Sequence, residues 1–163
     1  MIRMKIINNF IQEKEIFDDI KNLLMSYTFP YYYYNTVAHE KDRSDYFFAH
    51  VLFDKDKQHS EYFNKITMPI LGRLNFNYLI RAKVNCYTKK HKQIITKMHT
   101  DTPQKHMVAL FSINTNNGYT LFENGDKILS VENQLVVFEG HLKHCSVAQT
   151  DKNIRVNINI DLS

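Results

Sequence analysis

Four residues carry the chemistry that this sequence offers: His99 and Asp101 in the triplet His-Thr-Asp, then His144, then Arg155 inside the final apolar run IRVNINIDL. Two imidazoles and a carboxylate can hold one face of an iron(II) ion and leave the opposite face open. Residues two apart on a strand point to the same side, so His99 and Asp101 can reach one metal. The second imidazole must come from elsewhere in the fold, and His144 lies 43 residues beyond Asp101. Arg155, eleven residues further on, can supply a two-pronged clamp for an anion beside that metal.

The order of these parts is more specific than any one of them. His59-Ser60-Glu61 is a near-copy of the triplet, but it sits among helically spaced Tyr62, Ile66 and Ile70, where residues two apart do not share a face. What distinguishes His99-Thr100-Asp101 is its place: after a strand, before several short strands, with a histidine and then a strand arginine near the end. His141 competes with His144 within GHLKH. His39, His50, His59, His91 and His106 read as surface or capping residues, and Cys145 as packing.

The elements that must position these groups divide the chain in two. Residues 12–26 space Ile16, Ile20, Leu23 and Leu24 along one helical face, and a second helix is expected over 58–75. Pro30 closes the first region, and the run Tyr31 to Tyr34 reads as core aromatics. Residues 46–53 form a strand. From 78 the period becomes two: Arg81, Lys83, Asn85 and Tyr87 alternate with Ile80, Ala82, Val84 and Cys86. A polar face so close to the triplet suits the lumen of a barrel holding a polar ligand, with Tyr87 and Asn85 as further binding candidates. Strands follow over roughly 105–114, 119–123, 127–131, 134–138, 144–149 and 153–162, with turns at Asn116-Asn117-Gly118 and Asn124-Gly125-Asp126. The expected fold is mainly β with N-terminal helices: a double-stranded β-helix, or jelly roll, buttressed by helices.

Composition bounds the rest. The chain has 163 residues with four glycines and three prolines, which suits one domain spanning 1–163, with 1–77 as helical support and substrate-side elements and 78–163 as the β core. The net charge of +4 is mild, and Lys89-Lys90-His91-Lys92 reads as a solvated loop tip. No nucleic-acid motif, phosphate loop or membrane-length apolar run is present. MIRMKIINNF does not read as a secretory signal, and two cysteines, Cys86 and Cys145, make no disulfide framework, so a cytoplasmic setting is expected.

Residues 78–163 resemble the catalytic core of the iron(II)/2-oxoglutarate-dependent oxygenases, and in particular the compact prolyl-4-hydroxylase-like branch found in phages and bacteria. The matching pieces are HTD (99–101), GYTLFENG (118–125), QLVVFEGHLKHCS (134–146) and KNIRVNINIDL (152–162). The resemblance implies that His99, Asp101 and His144 ligate iron(II) and that Arg155 binds the distal carboxylate of 2-oxoglutarate. It places Asn157 where the family often has a serine or threonine, and Tyr87 near a tyrosine that contacts the co-substrate. The implied activity is a dioxygenase using O2, with ascorbate as a reductant, that forms succinate and hydroxylates a C–H bond; peptidyl proline is the default substrate. A phage-encoded form would act in the host cytoplasm. Two other readings stay open: a cupin-like metal-dependent isomerase or lyase, and a non-enzymatic jelly-roll interaction module. The substrate and the oligomeric state are not encoded in any motif of the chain.

Overall fold

A computed structural model describes residues 4–35, 46–101 and 105–163. The chain begins with β1 (Lys5–Ile7), α1 (Lys14–Leu24), β2 (Tyr32–Tyr34), β3 (Phe47–Asp54), β4 (Lys57–Gln58) and α2 (Phe63–Leu71). It continues with β5 (Leu79–Thr88), β6 (Met107–Ser112), β7 (Asn116–Phe122), β8 (Lys127–Ser130), β9 (Gln134–Glu139), β10 (His144–Val147) and β11 (Ile154–Leu162). The described residues form two antiparallel sheets. The larger has the order β1-β9-β6-β11-β5-β3-β2, with β4 added to β3, and the smaller has the order β10-β7-β8.

The two faces of the large sheet explain the layering. On β11, Val156, Ile158 and Ile160 point to one side, where they meet Phe17, Ile20 and Leu24 of α1 and Ile66, Ile70 and Leu71 of α2. Phe111 anchors this core, fully buried and edge-on to Phe10 and Phe17 at 6.0 Å each. Burial of one such side chain stabilises by roughly 1.5–3 kcal/mol. The other face of the sheet meets the small one through Val108, Leu110, Val136 and Phe138 against Phe122 and Ile128. Helices on one side and a second sheet on the other make a helix-buttressed jelly roll.

Several local expectations are corrected. The inward face of α1 centres on Phe17, while Ile16 is exposed. Residues 57–58 are not the start of a helix; they are β4, turned back on β3 through Lys55 and Asp56, both with positive φ. α2 then ends at Leu71 rather than 75, and the chain goes on through Gly72 in tighter turns, Arg73 N–H donating to the Ile70 carbonyl and Leu74 N–H to that of Leu71. Asn116–Gly118 is not a turn but the start of β7, with a register break before Tyr119. Tyr32, Tyr33 and Tyr34 form a sheet-edge strand and are exposed, so only Tyr31 of that run packs against the core. The N-terminal part therefore supplies four strands to the large sheet as well as helices.

Candidate metal centre and anion pocket

His99 and His144 are placed by a two-residue antiparallel bridge, in which each backbone N–H donates to the other's carbonyl at 2.9 Å. His99 does not belong to a regular strand, so the pairing with His144 at the head of β10 does the positioning. The rings lie 5.0 Å apart between centroids, and that of His144 is walled by Phe122 and Phe138. Nδ1 of His144 lies 2.9 Å from the Leu142 carbonyl, and Nδ1 of His99 lies 3.1 Å from that of Lys97. Donation from Nδ1 fixes the tautomer and leaves Nε2 as the atom of each ring that could ligate a metal.

Asp101 completes the group. Its Oδ2 lies 3.5 Å from His144 Nε2, and one ligand atom from each of His99, Asp101 and His144 falls within 4.8 Å of the others. Arg81 holds the other oxygen, Oδ1, at 3.4 Å, and the Asn159 amide donates to Oδ2 at 3.5 Å. Burial alone would raise the Asp101 carboxyl, but the hydrogen bond and charge of His144, with the charges of Arg81 and His99, outweigh it and hold it well below the usual range. Burial likewise opposes protonation of His144, and Asp101 reverses the sign, raising it. Two imidazoles and an ionised carboxylate converging on one point are a donor set suited to a first-row divalent metal.

Arg155 lies in the same cavity. It is 3% exposed, opposite Tyr87 in the β11–β5 register, with its guanidinium 5.5 Å from the Tyr87 ring. Nη1 donates to Ser146 Oγ at 3.0 Å, to the Val147 carbonyl at 3.1 Å and to the Tyr119 carbonyl at 3.3 Å. Among the described residues, Nη2 reaches only Thr120 Oγ1, at 3.4 Å, and Nε has no partner. None of these acceptors is charged, and burial pushes the guanidinium's pKa down. Burying a cation without a counter-ion costs several kcal/mol, so this arrangement suits an anionic ligand.

Between Arg155 and Asp101 runs a ladder of polar pairs on the inner face of β5 and β11: Tyr87 with Arg155, Asn85 with Asn157, Lys83 with Asn159, and Arg81 with Asp161. The Asn85 amide donates to Asn157 Oδ1 at 3.0 Å, and the Tyr87 ring stacks on Phe47 at 5.5 Å. The first three pairs line a cavity with a volume of about 70 Å³, which takes in His99, Asp101, His144, Arg155, Asn157, Tyr87 and Asn85. A single water needs only ~10–15 Å³ on that measure, so a small polar ligand has room.

The structure thus brings all seven candidate residues to one cavity. His141 is excluded from it: its side chain is exposed and lies 3.5 Å from Glu139. His50 is structural, bonded to the Pro30 carbonyl and Ser60 Oγ, and His39 lies outside the described residues. Arg81, Lys83, Thr120, Ser146 and Asn159 were missed as site residues. Arg81, Lys83 and Asn159 could have been found from the same period-two alternation that marked Asn85 and Asn157.

No family model and no curated protein matches this sequence. Solved structures do match. A 2OG-Fe(II) oxygenase family oxidoreductase from Burkholderia pseudomallei superposes with a TM-score of 0.65 at 12% identity, covering 98% of this chain and 84% of that one. A prolyl hydroxylase from Trichoplax adhaerens, in complex with a hypoxia inducible factor oxygen degradation domain peptide fragment, gives 0.64 at 16%, covering 98% and 82%. The non-heme alpha ketoglutarate dependent epimerase SnoN from nogalamycin biosynthesis gives 0.65 at 9%, covering 99% and 78%. The chain has the jelly-roll fold of the 2-oxoglutarate Fe(II) oxygenases.

Proposed function

We propose that this protein is an iron(II)/2-oxoglutarate-dependent dioxygenase that hydroxylates a C–H bond of its substrate. The observation that carries the reading is the pairing, in one small cavity, of a two-histidine, one-carboxylate donor set with a buried arginine that has no counter-ion among the described residues. His99, Asp101 and His144 would hold the iron, and Arg155, with Asn157 and Tyr87 beside it, would hold the distal carboxylate of 2-oxoglutarate. Bound there, the metal and co-substrate supply O2 activation coupled to oxidative decarboxylation, with succinate, carbon dioxide and a hydroxylated product as the outcome.

The residues of the chain orient and insulate that chemistry. The Leu142 and Lys97 carbonyls hold the two imidazoles in the tautomer that presents Nε2. Arg81 at Oδ1 and the Asn159 amide at Oδ2 restrain the Asp101 carboxylate. Phe122 and Phe138 pack the His144 ring against an apolar wall that keeps water from that side. His99, Asp101 and His144 would hold the ion by one face only and would leave it open to the co-substrate chemistry. A cupin-like isomerase or an interaction module has no use for the anion pocket at Arg155. Peptidyl proline is the substrate we favour by default; the Trichoplax neighbour, a prolyl hydroxylase in complex with a peptide fragment, supports it.

Calorimetric titration of the metal-free protein with manganese(II), a redox-silent stand-in, tests the site without turnover. One ion per chain should bind in the wild type and none in His99→Ala or Asp101→Ala, and 2-oxoglutarate should bind only after the metal. Equal metal binding by wild type and Asp101→Ala would remove the proposed centre.

A further inference from the structure

Lys83 has no part in the roles assigned so far, yet its side chain lines the same cavity. It projects from β5 onto the inner face, opposite Asn159, whose amide touches Asp101. Its ammonium stands over the Phe47 ring, 5.3 Å from the centroid, and no carboxylate or carbonyl of the described residues pairs with it. Asp101, Asp161 and Asp54 act on it only from a distance. Burial, followed by the charge of Arg81, pulls its pKa down to about 8, so this is a cation that gains from an anionic partner.

Charge balance says which partner. Among the described residues, the charged side chains lining the cavity are Asp101, Arg155 and Lys83, and the nearby Arg81 is matched by Asp161 at 2.8 Å. If the proposed function holds, a divalent metal and the dianionic co-substrate enter against Asp101 and Arg155, and these four neutralise one another. One positive charge then remains, that of Lys83. Position agrees: Lys83 lies four residues along the ladder from the Arg155 level, about 13 Å of strand, at the level of the metal ligand Asp101. Both carboxylates of 2-oxoglutarate are already committed, one to Arg155 and one to the metal.

We infer that Lys83 is a specificity residue, and that the substrate carries a carboxylate which its ammonium binds close to the reacting carbon. The inference rests on the oxygenase reading. A free amino acid or the C-terminal residue of a peptide has this chemistry, whereas a proline inside a chain does not, so the default peptidyl proline narrows to a C-terminal one.

The test uses the wild-type protein loaded with manganese(II) and 2-oxoglutarate, which binds but does not turn over. N-acetylproline and N-acetylprolinamide, which differ in the carboxylate, serve as probes, and paramagnetic relaxation of their protons by the manganese reports binding near the metal. The carboxylate probe should be relaxed and should bind at least tenfold more tightly than the amide, the scale of one charge-assisted hydrogen bond. Lys83→Met should abolish that preference and leave 2-oxoglutarate affinity within about twofold; Lys83→Arg, which keeps the charge, should retain it. Equal binding of the two probes by the wild type would overturn the inference. So would a tenfold loss of 2-oxoglutarate affinity in a folded Lys83→Met, which would assign the lysine to the co-substrate instead. Failure of the wild type to bind 2-oxoglutarate at all would remove the oxygenase reading, and the inference with it.

Discussion

Replacing Arg155 with methionine separates a ligand-binding role from a structural one. Arg155 is 3% exposed, and among the described residues its guanidinium is held by neutral acceptors alone, the Tyr119 and Val147 carbonyls and the Ser146 and Thr120 hydroxyls. Methionine removes the cost of an uncompensated buried charge but strands two carbonyls, each worth about 1 kcal/mol. The two effects are of similar size, so the ligand-free melting temperature should change by only a few degrees. Ligand binding should change greatly. Losing one partner of a buried charge pair costs roughly 2–5 kcal/mol, or about 30-fold to a few thousand-fold in affinity. At a 2-oxoglutarate concentration one hundred times its dissociation constant, the wild type gains about 2.7 kcal/mol. For a chain of this length that raises the melting temperature by roughly 5–10 °C. The same concentration should shift Arg155→Met by at most about 3 °C. Thermal melts with manganese(II), with and without 2-oxoglutarate, read both quantities. An equal ligand shift in the variant would refute the pocket assignment, and a ligand-free collapse would show that Arg155 holds the fold instead.

Three further outcomes follow from packing and charge. A Cβ at Gly118 would lie 2.9 Å from Asn116 Oδ1, 3.0 Å from the Val147 carbonyl and 3.1 Å from Arg155 Cδ, so Gly118→Ala should displace the arginine and weaken 2-oxoglutarate about tenfold in the same melts, at a cost of roughly 1–3 kcal/mol in stability. Wild-type affinity would show that the strand gives way without moving Arg155. Asp161 is fully buried and ion-paired with Arg81, so Arg81→Met should cost about 3–5 kcal/mol in urea unfolding by leaving that carboxylate alone; a loss below about 1 kcal/mol would contradict the pairing. Burial pushes the Cys86 thiol up to about 11 and also raises that of Cys145, so at pH 8 neither should react with a disulfide reagent until the chain is unfolded, after which both should. Rapid native labelling of either would show that its strand opens.

The site was more legible in the sequence than the periphery, for a physical reason. Donor chemistry and period-two alternation are local properties, so the HTD triplet, the IRVNINIDL strand and the polar face of YLIRAKVNCY could be read from neighbouring residues alone. Lys83 was visible in that alternation, but an ammonium on a polar face reads as solvent-exposed until the small sheet is seen to cover it. The short strands failed differently. β1 and β2 have three residues each and exist because β9 and β3 offer them an edge, which no propensity encodes. β4 depends on two positive-φ residues, Lys55 and Asp56, in a turn without the usual Asn-Gly signal. The bridge that sets His99 against His144 spans 45 residues and has no sequence signature beyond the histidines.

The most direct measurement is succinate formation from 2-oxoglutarate by the purified protein with iron(II), ascorbate and O2, beside an Asp101→Ala control. Slow succinate release that requires iron, and that disappears in a folded Asp101→Ala, is the predicted result. If neither protein forms succinate and the wild type binds no 2-oxoglutarate, or if Asp101→Ala turns over as fast as the wild type, the oxygenase account is contradicted.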